Sequence, residues 1–419
     1  MKKKAALLTV FLVVLIDLMG FGIVLPLLPF YASKFHASAV EIGLLYSIYS
    51  LAQLIVSPLW GGLSDRVGRR PIMLMSTLGS FLAYVLFGLS NSFAVLFVSR
   101  LIAGVMGGNI SAAQAYVADV TTHEDRAKGM GLIGAAFGIG FVMGPALATL
   151  LIHPGFHSFI EHTGFSGLSR FIAENKYAVP GFVAAFMSFM SFLLVLSKLP
   201  ETVQNLKSGD SERISRQSIF TAGFWRSALG QDAKRVSVFP LLMISIFLLS
   251  LGHSSLYSAF PLFCKTRLGL SAEKVGMQFV YMGLIAVLIQ GGLIRQLVKY
   301  FSEEMLFTVG SFLMVAGLGL IPFAVSERTL MAYLSLMAVG ASLNGPTLNS
   351  LISKASDPSK VGATMGASQG LSALGRTIGP TWGGFLFGVS FRLPFLATAA
   401  VLLSTVFVGS RLVSQKLAK

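Results

Sequence analysis

Charged residues and cysteines are scarce in this chain of 419 residues, of which only 12% are charged. A soluble globular chain carries about 25% charged residues, so most of this protein's surface does not face water. The single cysteine, Cys264, excludes an intramolecular disulfide. Hydrophobic residues make up 54% of the chain, with 34 Phe and 44 Gly. This composition is typical of membrane helices that pack closely through small residues.

Motifs of catalysis and of cofactor binding are missing as well. The sequence has no P-loop, no paired cysteines at metal-ligand spacing, no His-Glu-x-x-His pattern and no Gly-x-Ser-x-Gly elbow. It therefore predicts a protein that is not an enzyme and that binds neither a cofactor nor a metal. The missing P-loop also argues against ATP as a direct source of energy, and an ion gradient is the economical alternative.

Apolar runs of membrane-crossing length recur along the whole chain. A helical span needs about 20 mostly apolar residues. We predict twelve spans, near Leu7–Tyr31, Val40–Trp60, Pro71–Leu89, Phe93–Val117, Gly129–Ile152, Ala178–Leu196, Val238–Phe263, Ala272–Leu293, Met305–Val325, Leu330–Ile352, Val361–Leu386 and Phe391–Leu412. The first is interpreted as a retained span, because it is too long for the apolar part of a signal peptide.

A polar segment of mixed charge divides the twelve spans into two sets of six. We predict an N-terminal six-helix bundle over residues 1–197, a cytoplasmic linker over 198–237 and a C-terminal six-helix bundle over 238–419. The predicted fold class is all-α: a polytopic membrane protein with 12 transmembrane helices in two pseudo-symmetric bundles. The loop over residues 153–177 is long enough for a short helix, and its role is not predicted.

The net charge of +15 indicates membrane orientation rather than binding of nucleic acid. The basic residues lie in short loops between apolar runs, which is how orientation is encoded. With the N-terminus inside, the cytoplasmic segments hold more than twice as many Lys and Arg as the opposite loops. We therefore predict a multi-pass protein of the cell (inner or plasma) membrane with both termini in the cytoplasm. The lipid bilayer is its expected partner, and a monomer its expected state.

The two sets of spans resemble copies of one another. The motif Gly140-x-x-x-Gly144-Pro145 in span 5 recurs as Gly375-x-x-x-Gly379-Pro380 in span 11, and the same spacing relates Asn109 to Asn344. Duplicated halves are typical of secondary transporters. The candidates for close helix packing are Gly140, Gly144, Pro145, Gly379 and Pro380. A plain small-residue packing motif explains the glycines without any role in transport.

A cluster of charges follows span 2, in the segment Gly61–Pro71. Asp65 can accept hydrogen bonds from a helix N-terminus or from an arginine. Arg69 and Arg70 can pair with acids or with helix C-termini. Such a cluster could hold the cytoplasmic side closed in one conformation, or could simply be a positive-inside anchor with a tight turn. The gating candidates are Asp65, Arg66, Arg69, Arg70 and, at the end of span 4, Asp119.

Together these motifs resemble the major facilitator superfamily. The segment Gly61–Pro71 matches the G-x-L-x-D-R-x-G-R-R loop of that superfamily, and span 4 contributes Arg100–Gly104 followed by Gly107-Gly108. With the span 5 motif, they resemble the twelve-helix drug/proton antiporter branch, most closely its tetracycline-efflux-like members. The resemblance implies the major facilitator fold, with two bundles around a central cavity, and proton-coupled transport by alternating access.

The sequence departs from the family pattern in span 5, in span 9 and in the loop after span 8, where Arg295 and Val298 stand at the places of Asp65 and Gly68 in the first half. Ala148 and Thr149 stand where the span 5 pattern has two glycines, and span 9 has no acid after Glu304, whereas tetracycline exporters carry one within that span. The missing acid in span 9 argues against tetracycline itself as the substrate.

Three charges lie well inside the predicted spans, away from the span ends: Asp17, Arg100 and Arg376. A charge at mid-bilayer costs at least about 2.5–3.5 kcal/mol, so it usually faces a cavity and has a function. Asp17 is the only acid well inside any span, and it is the candidate for proton or cationic-substrate binding. In the family, the arginine matching Arg100 is tied to proton coupling, and Arg376 could bind an anionic group or pair with Asp17. Each of the three could instead be a structural tie.

Uncharged polar residues within the spans are candidates for lining a cavity. They are Gln53, Asn109, Gln114, His253 and Asn344. Each could instead tie two helices together, and a lone histidine near a helix end is more often structural than functional.

The expected function is export of small, largely apolar organic compounds in exchange for protons. The expected partners are therefore a small-molecule substrate and protons. One alternative is a proton-coupled importer of a metabolite such as a sugar or an organic anion, favoured by Arg376 and disfavoured by the span 5 motif. A second alternative is a non-transporting receptor on a transporter scaffold, against which the gating charges and Asp17 argue.

Overall fold

A computed structural model describes residues 2–122, 125–162, 166–202, 239–356 and 361–417, and every regular element in these ranges is helical. The N-terminal part contains α1 (Lys2–Ser33), α2 (Ala39–Val67), α3 (Arg69–Gly88), α4 (Phe93–Met106), α5 (Ile110–Val120), α6 (Arg126–Ile152), α7 (Pro154–His162), α8 (Ser166–Glu174) and α9 (Val179–Lys198). The C-terminal part contains α10 (Phe239–Arg267), α11 (Ala272–Leu288), α12 (Ile294–Tyr300), α13 (Glu303–Leu320), α14 (Glu327–Ala355), α15 (Val361–Val389) and α16 (Leu393–Leu417). The prediction of an all-α fold is confirmed.

Ten of the described helical segments are long and apolar enough to cross a membrane. A 3₁₀ turn joins α4 to α5 and a π-helical turn joins α11 to α12, so each of these pairs forms one segment. The helices α14 and α15 have membrane-crossing length, with 29 residues each. Polar residues such as Asn344 and Arg376 lower their hydropathy. The ten segments and these two helices are consistent with the twelve predicted spans.

The chain divides into two structural units. Unit 1 takes its described residues from Met1–Ser38, Ile48–Glu212 and Gly269–Val280, and unit 2 takes its own from Ala39–Ser47, Arg213–Leu268 and Tyr281–Lys419. The predicted boundaries at 197/198 and 237/238 stay a prediction, because residues 203–238 lie outside the described ranges. Each unit has its own apolar interior.

In unit 1, α1 packs along α6 and α3 packs along α9. Glycines permit the first of these contacts. An ideal Cβ on Gly22 of α1 would lie 3.1 Å from the carbonyl oxygen of Gly140, the Cα of Gly144 and the Cδ of Pro145. Because the two backbones approach so closely, the span 5 motif serves as the packing face of α6. Buried apolar side chains such as Val13 continue the interface.

In unit 2, α10 packs along α15 in the corresponding way. Gly375 and Gly379 of α15 lie against the backbone of α10, and serine hydroxyls of α10 complete the contact. Ser254 Oγ donates to the carbonyl oxygen of Gly375 at 3.1 Å, and Ser258 Oγ donates to that of Pro380 at 2.7 Å. The repeated motif therefore occupies equivalent helix pairs in the two units.

Candidate functional site

Asp17 lies near the middle of α1, and its side chain reaches the break between α4 and α5. Asn109 Nδ2 donates a hydrogen bond of 2.5 Å to Asp17 Oδ2. Asp17 Oδ1 and Asn109 Oδ1 are buried and have no hydrogen-bond partner among the described residues. An ionised carboxylate can accept about four hydrogen bonds. Asp17 therefore has capacity left for a proton, or for a donor that another molecule brings.

The break that presents Asn109 arises from two adjacent glycines, which disfavour continuation of the α-helix. Gly107 begins a 3₁₀ turn of three residues that ends at Asn109. Side chains of α2 hold this turn: Gln53 Nε2 donates to the carbonyl oxygen of Gly107 at 2.9 Å. The Tyr49 hydroxyl lies so close that an ideal Cβ on Gly107 would stand 2.8 Å from it. The position of Asn109 beside Asp17 is therefore fixed by contacts from a third helix.

Arg100 lies on α4 and is buried, with 2% of its surface exposed. Its guanidinium carbon stands 5.4 Å from the ring centroid of Tyr84 and 4.7 Å from that of Phe87, both on α3. Tyr84 interacts electrostatically with Arg100 and Asp17, and it hydrogen-bonds with Arg100. The ring of Tyr84 also lies directly against Gly20 of α1. The phenol therefore interacts with both the acid and the guanidinium.

We refer to Asp17, Tyr84, Arg100 and Asn109 as the Asp17 cluster. Sequence analysis selected three of its members as candidates and missed Tyr84. A tyrosine in the middle of an apolar span was the available signal, because a buried phenol needs a hydrogen-bond partner. Chemically, the cluster combines three kinds of group. Asp17 can bind and release a proton, Arg100 is a fixed positive charge, and Tyr84 and Asn109 form hydrogen bonds.

A second polar group lies in unit 2, around Arg376 of α15. Arg376 Nη1 donates to Ser372 Oγ at 2.8 Å, and Ser250 Oγ lies 2.8 Å from that same hydroxyl. Arg376 also interacts electrostatically with His253 and Tyr257 of α10. We refer to His253, Tyr257, Ser372 and Arg376 as the Arg376 cluster. Two predicted candidates, His253 and Arg376, are thus brought together.

The remaining polar candidates differ in their surroundings. Gln114 is exposed on α5. Asn344 of α14 is buried against α13, where its Oδ1 accepts a hydrogen bond of 3.3 Å from Ser311. Asn344 therefore acts as a tie between helices. Gln53 likewise ties α2 to the break in span 4.

Two of the gating candidates, Asp65 and Asp119, converge on a third, Arg69, which is the first residue of α3. Arg69 Nη1 donates to Asp65 Oδ1 at 2.5 Å and to Ser64 Oγ at 2.6 Å, and Arg69 Nε donates to Asp119 Oδ2 at 3.1 Å. Gly68 makes the turn between α2 and α3 with φ 109°, which favours glycine. Arg66 is exposed. The charge cluster is therefore a network centred on one buried arginine.

Glu201 is a member of this network that sequence analysis did not select. Its Oε1 accepts from the backbone N–H of Arg69 at 3.0 Å, and its Oε2 accepts from that of Arg70 at 3.1 Å. These are amides of the first turn of α3, where a negative charge is favourable. Arg70 Nη2 in turn donates to the carbonyl oxygen of Leu196 on α9, at 2.7 Å. The contacts attach the end of α9 to the start of α3.

The described part of the loop over residues 153–177 contains two short helices, α7 and α8. His153, just before α7, places its Nε2 3.0 Å from Glu273 Oε1, within unit 1. The interaction is an ion pair only when the imidazole is protonated.

Three comparisons with known proteins agree with this architecture. The family model described as Major Facilitator Superfamily matches residues 10–380. The chain is 27% identical to "Tetracycline resistance protein, class B" of Escherichia coli, with 91% of this chain and 87% of that protein aligned. It is 26% identical to "Multidrug resistance protein 1" of Bacillus subtilis (strain 168), over 94% of this chain and 93% of that protein.

Solved structures give the same result. The crystal structure of the human organic anion transporter MFSD10 (TETRAN) superposes with a TM-score of 0.67 at 26% identity, covering 97% of this chain and 99% of the other. The matched family model spans most of the chain, and the relatives align over nearly their full length. The chain therefore belongs to the major facilitator superfamily, and it is a multi-pass membrane transporter rather than an enzyme.

Proposed function

We propose that this protein exports small, largely apolar organic compounds in exchange for protons, and that Asp17 is the proton-binding group. The observation that carries the proposal is the Asp17 cluster: a mid-span carboxylate with one buried oxygen unpartnered among the described residues, beside a phenol and a buried arginine. The names of the two bacterial relatives, a tetracycline resistance protein and a multidrug resistance protein, support export.

In this mechanism Asp17 takes a proton from outside and releases it inside. Asn109 donates a hydrogen bond to the carboxylate and favours its ionised form, and the positive charge of Arg100 reaches the cluster through Tyr84. Desolvation disfavours the ionised form. Because these effects oppose one another, small changes in water access or substrate position are sufficient to shift the proton equilibrium.

The gate of the mechanism is the network around Arg69. When its hydrogen bonds to Asp65 and Asp119 are made, α2, α3 and α5 are joined at one end of unit 1. Alternating access requires these bonds to form in one state and to break in another. We place this end in the cytoplasm, with both termini, and we expect a monomer in the cell membrane.

A second candidate function is proton-coupled uptake of a metabolite such as an organic anion. The mid-span Arg376 favours it, as does the description of the human relative as an organic anion transporter. The direction of movement distinguishes the two candidates. Uptake of a labelled organic anion driven by an inward proton gradient would support the second and contradict export.

The experiment for the proposed function is proton release from purified protein in detergent when lipophilic compounds are added. We expect compound-dependent release from the wild type, because compound and proton compete at the Asp17 cluster. Asp17→Asn should bind the compound and release nothing. Glu161→Gln removes an exposed acid of α7 and serves as the matched control, with release equal to wild type. Release that persists in Asp17→Asn would remove this residue from proton coupling.

A further inference from the structure

The loop over residues 153–177 carries one short apolar motif twice. Gly155-x-x-x-Phe159-Ile160, in α7, recurs as Gly167-x-x-x-Phe171-Ile172, in α8. Each of these helices has 9 residues. A helix needs about 20 apolar residues to cross a bilayer, so neither of them is a span. The large apolar side chains of the motif therefore serve another purpose than crossing the membrane.

Both phenylalanines of the repeated motif point away from the protein interior. Phe159 has 66% of its surface exposed and Phe171 has 45%, whereas Ile172 is buried. Glu161, two residues after Phe159 and so on the opposite face of α7, is also exposed. A phenyl ring exposed to water is unfavourable. A helix with one apolar and one polar face of this kind lies in the plane of a membrane interface.

The contacts of Phe171 place α8 beside the start of a span. Its ring centroid lies 6.3 Å from that of Phe182, within the span α9. Asn175 makes the connection compact, because its backbone N–H donates to the carbonyl oxygen of Phe171 at 3.0 Å and its carbonyl oxygen accepts from Ala178 N–H at 2.8 Å. The helix α7 packs against α8 in turn. Both short helices are thus held at the membrane boundary.

Two tyrosines mark this boundary independently. Tyr31, in the last turn of α1, and Tyr177, just before α9, have ring centroids 6.4 Å apart. Tyrosine is enriched where spans meet the lipid headgroups, because its ring is apolar and its hydroxyl is polar. The end of α1 and the start of α9 therefore meet at the headgroup level, next to α8.

Two lysines leave a positive charge at the same level. Lys34 Nζ and Lys176 Nζ each stand 5.1 Å from the ring centroid of Tyr177. Both side chains are exposed, and neither forms an ion pair with a residue that the structure describes. A lysine binds phosphate as a point charge. The phosphate of a phospholipid is the anion that a membrane supplies at this depth.

We propose that α7 and α8, together with Lys34 and Lys176, form a lipid-binding surface. Phe159 and Phe171 enter the boundary between headgroups and acyl chains, and the two lysines bind phospholipid phosphates. The occupant is the leaflet that surrounds the ends of α1 and α9, because the surface is continuous with these spans. The proposal depends neither on the direction of transport nor on proton coupling.

The first experiment measures the membrane depth of spin labels by electron paramagnetic resonance, with the protein in phospholipid nanodiscs. The only native cysteine, the buried Cys264, is replaced by alanine. Labels are attached to Phe159→Cys, to Phe171→Cys and, as the control on the opposite face of α7, to Glu161→Cys. We expect the labels at 159 and 171 to collide more often with oxygen, which enters lipid, than with a water-soluble nickel chelate. The label at 161 should show the reverse.

Two results of this experiment would overturn the proposal. If the chelate reaches the label at 159 as readily as the label at 161, α7 lies in water. If the labels at 159 and 171 are protected from both oxygen and the chelate, the surface is covered by a second copy of the chain or by another protein and not by lipid.

The second experiment tests the lysines by thermal unfolding in detergent and needs no label. The added lipids are dioleoylphosphatidic acid and dioleoylglycerol, which differ only in the phosphate. We expect the wild type to unfold at a higher temperature with the first lipid than with the second, because a ligand of the native state stabilises it. The double variant Lys34→Gln/Lys176→Gln should lose most of this difference.

The matched control for the lysines is Arg295→Gln/Lys299→Gln, which removes two exposed basic side chains of α12 in unit 2. It should keep the wild-type difference between the two lipids. Equal loss in both double variants would mean that any surface charge serves, and no difference in the wild type would mean that phosphate is not bound. Either result would overturn the assignment of the two lysines.

Discussion

At the scale of single residues, the structure assigns roles that depend on neighbours far away in the sequence. Asp17 and Arg100 can be found from sequence, because a charge within an apolar run is conspicuous. Tyr84 and Glu201 cannot be found in this way. Tyr84 is an ordinary aromatic residue of a span, and only the fold places it beside Arg100. Glu201 is an ordinary acid of a loop, and only the fold places it at the start of α3.

Tyr84→Phe tests the connection between the acid and the guanidinium. The phenol hydroxyl lies next to α1 and interacts with Arg100, so its loss removes one hydrogen bond to a charged group. Such a bond contributes about 1.5–3 kcal/mol. We expect compound-driven proton release to fall about tenfold or more at unchanged compound binding. Tyr333→Phe, in the other unit, is the control. A Tyr84→Phe protein with wild-type release would show that the hydroxyl takes no part in coupling.

Glu201→Gln tests the attachment of α9 to α3. The side chain keeps an acceptor but loses the negative charge that stabilises the N-terminus of α3, an effect of about 0.3–1 kcal/mol. Hydrogen exchange at the amides of Arg69 and Arg70 should become faster, because these amides donate to the carboxylate. Exchange in α13, in the other unit, should not change. Unaltered exchange at both amides would contradict the assigned role of Glu201.

At the scale of helices, hydropathy predicts the existence of most elements, but not their internal breaks. Span 4 was predicted as one helix over Phe93–Val117, whereas the structure divides it at Gly107 with a 3₁₀ turn. The break depends on Tyr49 and Gln53 of α2, which sequence patterns within span 4 do not contain. The loop over residues 153–177 was predicted to be long enough for a short helix, and its described part holds two.

Gly144→Ala tests the close contact between α1 and α6. The added methyl group would lie within 2.8 Å of the backbone of Gly22, which cannot move as a flexible side chain can. Overpacking of this kind costs about 1–3 kcal/mol. We expect a lower unfolding temperature in detergent. Gly138→Ala in the same helix has nothing within 4 Å of the new methyl group and should be neutral or stabilising. Equal effects of both substitutions would mean that the glycine motif is not a packing face.

At the scale of the whole molecule, the sequence repeat predicts equivalent helix contacts in the two units, and the structure has them. The α1–α6 pair of unit 1 corresponds to the α10–α15 pair of unit 2, each with a Gly-x-x-x-Gly-Pro motif at the contact. The polar clusters are not equivalent: unit 1 contains an acid with an arginine, and unit 2 contains an arginine with a histidine. The repeat therefore predicts the scaffold, while the chemistry depends on residues that differ between its copies.

Asp65→Asn tests whether the network around Arg69 works in transport rather than in folding alone. The amide keeps the shape of the side chain but loses the charge that pairs with Arg69 at 2.5 Å. We expect transport by reconstituted protein to fall about tenfold or more, with compound binding in detergent retained, because a gate is needed for alternation and not for binding. Glu161→Gln should transport normally. Loss of binding and transport together would indicate a structural role for Asp65.

The central claim is the exchange of a compound for protons at Asp17, and transport in proteoliposomes with an imposed proton gradient tests it most directly. The account predicts that a labelled lipophilic compound moves against the direction of proton flow, accumulates above its equilibrium distribution, and does neither in Asp17→Asn. Movement of the compound in the same direction as the protons, or accumulation that persists in Asp17→Asn, would contradict it.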